Sequence, residues 1–65
     1  MATATALRLT GLDLRLRRTA AFVTQTSIAR ELGVSRQAVG NIEALLRPSP
    51  TAVERYLQAL RQVSE

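Results

Sequence analysis

Residues 25–39 read QTSIARELGVSRQAV, and the spacing within this stretch decides the fold. Its apolar residues recur at helical intervals on either side of Gly33, a residue type that ends helices in the left-handed conformation. Ser35 then supplies a side chain that commonly caps the start of a helix. The stretch therefore predicts two short helices, over residues 25–32 and from Arg36 to at least Ile42, joined by a tight turn.

Such a pair of helices, with a three- to four-residue turn that contains glycine, is the geometry of a DNA-binding helix-turn-helix. The small side chain of Ala29 permits a close approach of the two helices, and Val34 and Val39 are placed to fill the wedge between them. The start of the second helix is then held outward. Because the major groove admits one α-helix and offers hydrogen-bonding base edges, its long polar side chains are candidate base readers: Arg36, Gln37 and Asn41.

A further helix is predicted before this pair, over residues 11–21. Thr10 is its candidate N-cap, and Asp13 stands where the acid of a capping box belongs. Helical spacing predicts two neighbouring stripes on its inner face, which consist of Leu12, Leu16 and Ala20 and of Leu14, Arg18 and Ala21. Arg15 and Arg17 are left to face water or phosphate.

A last helix is predicted over residues 50–62. Ser49 followed by Pro50 is a favourable start, and Thr51 with Glu54 forms a competing capping box. The residues spaced for one buried stripe are Val53, Tyr56, Leu57 and Leu60. Among these we expect the hydroxyl of Tyr56 to lie at the edge of the core.

The composition agrees with one small helical domain. The chain has 65 residues with no cysteine and no histidine, which excludes disulfide bonds and the usual zinc sites. We expect an all-α fold, a compact domain of four to five helices over residues 10–65, preceded by a flexible or strand-like arm over residues 1–9. A chain this short buries only about 60% of its unfolded surface, so dimerisation would help to stabilise it.

The net charge of +4 is unevenly distributed. Residues 1–36 carry six arginines against Asp13 and Glu31, which gives +4, whereas residues 37–65 carry three arginines against three glutamates. A basic N-terminal half suits a polyanionic partner. No apolar run reaches the roughly 18 residues of a membrane span and no signal peptide is evident, so we expect a cytoplasmic or nucleoid protein without a membrane partner.

Catalysis is not expected of this chain. Asp13 is its only aspartate, and no pair of carboxylates has an evident common site. The small core also leaves no room for a substrate pocket. We therefore expect no metal, no cofactor and no small-molecule ligand.

From about Leu14 to Leu60 the chain resembles the lambda-type repressor, Cro and XRE family. The matching features are Arg18 seven residues before the Thr24-Gln25 pair, IARELGVS at 28–35, Ile42-Glu43, and Pro48-Ser49-Pro50 leading into Val53, Tyr56, Ala59 and Leu60. The resemblance implies a lambda-repressor-like domain that binds double-stranded DNA sequence-specifically. It also implies a transcriptional repressor from a phage, a plasmid or a bacterium, which can act on its own promoter.

The resemblance implies roles for residues at matching positions. Gln25 matches a phosphate-anchoring residue, and Gly40 a position of close approach to DNA within a recognition helix over residues 36–43. Arg18 and Glu43 match a partly buried ion pair that ties the first helix to the end of the recognition helix. The further candidates for phosphate contact are Thr24, Ser35, Arg17 and Arg47.

The chain departs from the family pattern at Phe22 and in Ala44-Leu45-Leu46, where glycines are usual. The first departure leaves the end of the first helix open, and the second predicts a longer third helix. We expect no fifth helix of the kind that often supports dimers in this family. We still expect a two-fold homodimer on a palindromic operator. The candidate interfaces are Leu45 and Leu46, the tail around Val63, and Leu7 and Leu9 of the arm.

Two other functions fit the same residues. One is a protein-interaction module, such as an antitoxin or an antirepressor that kept the fold. The other is a DNA-architectural factor similar to an excisionase, which bends DNA. Replacing Arg36 and Gln37 separates the repressor from the interaction module, because only operator binding should be lost.

Overall fold

The computed structural model describes residues 9–64, which form four α-helices and no strand. The helices are α1 (Gly11–Ala20), α2 (Gln25–Leu32), α3 (Arg36–Ala44) and α4 (Pro50–Ser64). The all-α prediction is confirmed. Within this part of the chain, no helix combines the length and the apolarity needed to cross a bilayer. Residues 1–8 of the predicted arm lie outside the described residues.

Short polar side chains begin the helices. The Oγ1 atom of Thr10 accepts a hydrogen bond from the backbone N–H of Asp13 at 3.1 Å, and the Asp13 carboxylate accepts one from the N–H of Thr10 at 2.8 Å. This complete capping box lowers the pKa of Asp13. At the other helices the hydroxyl groups of Thr24, Ser35 and Ser49 each accept a hydrogen bond from the backbone N–H three residues further on, without the reciprocal bond. Because Ser49 is the cap, α4 begins at Pro50 rather than at the competing box that starts with Thr51.

The core takes one face from each helix. Its buried apolar residues are Leu14, Ile28, Ala29, Val39, Val53, Tyr56 and Ala59. Leu9 and Val63 are half-buried and pack against this cluster from the two ends of the described chain. Val63, which the sequence suggested as a dimer contact, is therefore already engaged within its own chain.

The helix-turn-helix has the predicted shape, with one exception. Gly33 follows α2 in the left-handed conformation (φ 71°), and Ala29 and Val39 are buried between α2 and α3. Val34 was expected to fill the same wedge, and this expectation is wrong, since its side chain is exposed. Its backbone N–H donates to the carbonyl of Ala29 at 3.0 Å, which closes the turn and leaves the side chain outside.

The face that α1 turns to the core differs from the prediction. Leu14 and Arg18 are buried, whereas the predicted stripe is exposed at Leu12, Leu16 and Ala20. Ala21, expected beside Leu14 and Arg18, is exposed as well. Of the two predicted stripes, only Leu14 and Arg18 of the second face the core, because the helix is rotated so that Arg18 reaches Glu43 on α3.

The start of α1 packs directly on the end of α3. The N–H of Gly11 donates to the carbonyl of Leu45 at 2.8 Å, and a Cβ atom on Gly11 would overlap the carbonyl oxygens of Ile42 and Glu43. Leu45 leaves the helix in an extended conformation, so α3 ends at Ala44. The third helix thus runs two residues past Ile42 but does not extend into Leu45 and Leu46, because the carbonyl of Leu45 holds α1 instead of continuing α3.

The turn between α1 and α2 contains an unusual residue. Phe22 has a φ of 59°, the left-handed conformation that favours glycine, and its side chain is 95% exposed. That conformation costs a residue with a Cβ atom about 1–2 kcal/mol. No burial of the aromatic ring offsets this cost.

Replacing Gly11 with alanine should lower the free energy of unfolding by about 2 kcal/mol, because α1 must move away from the end of α3 to admit the methyl group. Urea unfolding followed by circular dichroism measures this change. Gly40→Ala is the matched control, since its Cβ would meet only the Nε2 atom of Gln25, at 3.6 Å. The control should gain about 1 kcal/mol from helix propensity. Equal midpoints for Gly11→Ala and the wild type would contradict the close packing described here.

Candidate nucleic-acid interface

One carboxylate on α3, that of Glu43, is bound by a side chain from each of the other three helices. Arg18 of α1 donates from Nε to Oε2 at 2.7 Å and from Nη2 to Oε1 at 3.1 Å. Gln25 of α2 donates from Nε2 to Oε1 at 3.0 Å, and Tyr56 of α4 donates its hydroxyl to Oε2. We call these four residues the Glu43 cluster.

Arg18, Glu43 and Tyr56 of the Glu43 cluster are buried and Gln25 is half-buried, so the ion pair of Arg18 and Glu43 is largely shielded from water. Burial alone would raise the pKa of Glu43, but the hydrogen bonds from Arg18, Tyr56 and Gln25 outweigh it and hold this pKa below its usual value. The hydrogen bond from Arg18 to Glu43 raises the pKa of Arg18. Burial, and then the separate hydrogen bond from Tyr56 to Glu43, raise the pKa of the Tyr56 hydroxyl. Tyr56 itself is fully buried, so its hydroxyl lies inside the cluster. The sequence analysis had placed this hydroxyl at the edge of the core.

Arg18 also holds the turn that follows α1. Its Nη1 atom donates to the carbonyl of Val23 at 2.9 Å, and the N–H of Val23 donates to the carbonyl of Arg18 at 3.1 Å. These bonds fix the chain just after Phe22. They place the start of α2, and with it Gln25, beside Glu43.

Gln25 connects the buried cluster to the exposed start of α3. While its Nε2 atom donates to Glu43, its Oε1 atom accepts a hydrogen bond from Nη1 of Arg36 at 3.2 Å. Arg36 and its neighbour Gln37 are exposed, as is Asn41 one turn further along α3. A continuous set of hydrogen bonds therefore runs from the core to the outward end of the predicted recognition helix.

A cleft of about 210 Å³ lies next to this connection. Its lining residues are Arg15, Arg18, Gln25, Gly40, Glu43 and Ala44. Arg15 is exposed there, and the first turn of α2 begins at Gln25. A guanidinium group and a helix N-terminus, which both attract anions, therefore meet at this cleft, beside the ion pair of Arg18 and Glu43.

The structure separates the predicted phosphate contacts. Arg15 lines the cleft, whereas Arg17 stands two residues further along α1 and hence about 200° around the helix, away from it. Thr24 and Ser35 are exposed, but their hydroxyl groups already accept hydrogen bonds as caps. Arg47 is exposed in the loop between α3 and α4.

Two features of this site were missed from the sequence. Arg17 was chosen as a phosphate contact ahead of Arg15, although Arg15 precedes Arg18 by three residues and so lies near it on the helix surface. The hydroxyl of Tyr56 as a partner of Glu43 had no local signal, because 13 residues separate the two in the chain.

A comparison with protein families bears directly on this arrangement. A family model described as a helix-turn-helix domain matches residues 9–65. The chain belongs to this family. The family comprises XRE-like DNA-binding domains, so DNA binding is the function that membership indicates for this helix-turn-helix domain. No curated protein and no solved structure matches the chain.

The lowered pKa of Glu43 makes the stability of the helix-turn-helix domain depend on pH. The unfolded chain binds a proton at Glu43 near the usual value of 4.5, whereas the folded domain keeps this carboxylate ionised to a lower pH. The stabilisation is therefore fully present above the unfolded pKa and is lost as the pH falls through the folded pKa.

Replacing Glu43 with glutamine should lower the free energy of unfolding at neutral pH by about 3 kcal/mol, because Arg18 is left buried without its counter-charge. The variant should also lose less stability than the wild type between about pH 5 and pH 3. Urea unfolding at a series of pH values measures both effects. Asp13→Asn is the control, because the pKa of Asp13 is also lowered but Asp13 lies outside the Glu43 cluster. The pH dependence that Glu43 supplies should remain in this variant. Parallel pH profiles for Glu43→Gln and the wild type would exclude the cluster as the source.

Proposed function

We propose that this protein is a sequence-specific transcriptional repressor that inserts the start of α3 into the major groove of double-stranded DNA. The observation that carries the proposal is the exposed polar face of α3, with Arg36, Gln37 and Asn41, on a helix tied to the other three by the Glu43 cluster. Guanidinium groups pair with guanine and amides with adenine in that groove. A rigidly held helix presents these groups in a fixed register.

Gln25 has a positioning role in this proposal. Its amide receives Arg36 on one side and is held by Glu43 on the other, so the first base-reading side chain is oriented before DNA arrives. The N-terminus of α2 and Arg15 then take a backbone phosphate in the adjacent cleft. Thr24, Ser35 and Arg47 are further proposed phosphate contacts on this surface.

Gly40 supports a close approach of DNA to α3. Glycine inside a helix is less stabilising than alanine by about 1 kcal/mol, and an alanine methyl group would meet only ordinary contact here. The fold therefore does not require glycine at this position. A close approach of a DNA phosphate or sugar to α3 would explain the glycine at position 40, which the packing of the domain does not explain.

We further propose that the repressor acts as a homodimer on a palindromic operator. One recognition helix contacts few base pairs, and two-fold symmetry doubles the contacts. Leu45 and Leu46, which are 50% and 75% exposed in the loop after α3, remain the candidate interface that the described residues leave free. Bound at a promoter in the bacterial cytoplasm, such a dimer would repress by blocking polymerase, including at its own gene.

Selection of bound sites from random DNA tests this proposal. The wild type should enrich an inverted repeat, and Arg36→Ala should relax one base position in each half-site at a cost of about 1–3 kcal/mol. The double variant Arg36→Ala, Gln37→Ala should lose the preference altogether. Arg61→Ala, a change of the same charge at an exposed position near the end of α4, is the matched control.

Three results, from this selection and from assays of DNA bending and of protein binding, would contradict the repressor proposal. No enrichment over random competitor removes sequence specificity. Binding without preference but with bending of the duplex indicates an architectural factor of the excisionase type. Retention of a protein partner as the only activity indicates an antitoxin or an antirepressor.

The salt dependence of binding tests the phosphate cleft. Arg15→Ala should reduce the slope of log K against log salt by about one and weaken binding on all sequences, because one phosphate contact is lost. Arg17→Ala, on the other flank of α1, should leave this slope unchanged. Fluorescence anisotropy between about 50 and 200 mM salt measures both slopes. Equal slopes for the two variants would refute the assignment of the cleft.

A further inference from the structure

Phe22 combines two features that the fold itself does not explain. Its backbone has a φ of 59°, the left-handed conformation that favours glycine, and its side chain is 95% exposed. Burial of the ring in the core therefore does not recover the free energy that this conformation costs. Strain of this kind is found at functional positions, where a ligand supplies contacts that the fold lacks.

The turn that carries Phe22 is tied to α1 on both sides of this residue. The N–H of Phe22 donates to the carbonyl of Thr19 at 3.0 Å, and the N–H of Val23 donates to the carbonyl of Arg18 at 3.1 Å. The carbonyl of Val23 accepts a further hydrogen bond from Nη1 of Arg18 at 2.9 Å. The backbone of Phe22 is therefore held in a fixed position relative to Arg18 and its partner Glu43.

Phe22 lies in line with Arg15 and Thr19 along α1. Backbone hydrogen bonds to α1 continue up to the N–H of Phe22, and steps of four and then three residues return the chain to the same flank of a helix. At a rise of about 1.5 Å per residue, the three residues form a line about 10 Å long. Arg15 lines the cleft beside α3, and Phe22 stands just before the start of α2 at Gln25.

The hydrogen bonds of the turn connect Phe22 to the same cleft. Arg18 and Gln25 both line the cleft, and Arg18 binds the carbonyl of Val23, the next residue after Phe22. A DNA strand carries one phosphate per about 3.4 Å of duplex axis. A strand that places one phosphate in the cleft therefore extends over the neighbouring surface with its adjacent sugars.

We propose that the ring of Phe22 packs against a deoxyribose of the DNA strand whose phosphate occupies the cleft. The inference rests on the proposed DNA binding and adds an apolar contact to the polar contacts of Arg15 and Gln25. A deoxyribose presents C–H groups to an aromatic ring, and sugar contacts fix the position of a protein on the duplex without reading sequence. Glycine would fit the backbone of this turn better, but it has no side chain to make the contact.

The salt dependence of DNA binding distinguishes this contact from a phosphate contact. Phe22→Gly should weaken binding roughly tenfold on all sequences, because the apolar area that the ring buries is lost. The slope of log K against log salt should stay unchanged, since the loss of an uncharged ring changes no counterion release, whereas Arg15→Ala should reduce this slope. Fluorescence anisotropy over a series of salt concentrations measures both quantities.

Two controls separate the contact from an effect on folding. Phe22→Gly should raise the thermal unfolding midpoint, because glycine adopts the left-handed conformation without strain, so loss of the fold cannot explain its weaker binding. Leu16→Ser removes a side chain that is 56% exposed and lies about 100° around α1 from Arg15. This variant should bind DNA as tightly as the wild type does.

A fluorescent side chain reports the contact directly. The chain contains no tryptophan, so Phe22→Trp introduces a single reporter, and Leu16→Trp places the same reporter on another flank of α1. Addition of the selected duplex should protect the indole of the Phe22→Trp protein from quenching by acrylamide. Quenching of the Leu16→Trp protein should be the same with and without DNA.

The failure of this inference is distinguishable from the failure of the proposed function. If the wild type binds DNA and Phe22→Gly binds it equally well, the sugar contact alone is overturned. If the wild type binds no duplex, both proposals fail. Acrylamide quenching of the Phe22→Trp protein that DNA does not change would place residue 22 away from the duplex, as expected if its ring contacts a protein partner instead.

Discussion

A buried carboxylate is tolerated only when its oxygens are bonded, and in this domain the carboxylate of Glu43 imposes that requirement on every helix. Arg18 comes from α1, Gln25 from α2 and Tyr56 from α4, while Glu43 itself lies on α3. The apolar core supplies the main driving force for collapse, but apolar contacts alone permit several rotations of short helices. The Glu43 cluster selects one of them.

That selection has consequences at both surfaces of α1. Because Arg18 must face Glu43, Leu14 enters the core and Leu12 and Leu16 are turned outward. The same rotation places Arg15 beside the cleft on α3 and Arg17 on the far flank. On α2, the bond that satisfies Glu43 leaves the other end of the Gln25 amide free to receive Arg36. One electrostatic constraint thus determines both the exposure of Leu12 and Leu16 on α1 and the orientation of Arg36 on α3.

Features set by neighbouring residues could be predicted from the sequence, and features set by distant residues could not. The caps at Thr10 and Ser35 and the turn at Gly33 are local, and the structure contains all three. Helical spacing placed two stripes of α1 on its inner face, and it could not decide between them, because the choice is made by the bond of Arg18 to the distant Glu43. The requirement for glycine at position 11 was not predicted. It arises because the end of α3, which is remote in the chain, leaves no room for a side chain there. The pairing of Arg18 with Glu43 was inferred from family resemblance, whereas nothing in the sequence indicated the hydrogen bond from Tyr56 to Glu43.

The most direct test is the structure of the full chain bound to the duplex that it selects from random DNA. The account predicts that the start of α3 lies in the major groove with Arg36 and Gln37 at base edges. It also predicts that the bonds of Glu43 to Arg18, Gln25 and Tyr56 are the same as in the free protein. A complex in which α3 lies outside the groove, or in which DNA binding breaks the Glu43 cluster, would contradict it.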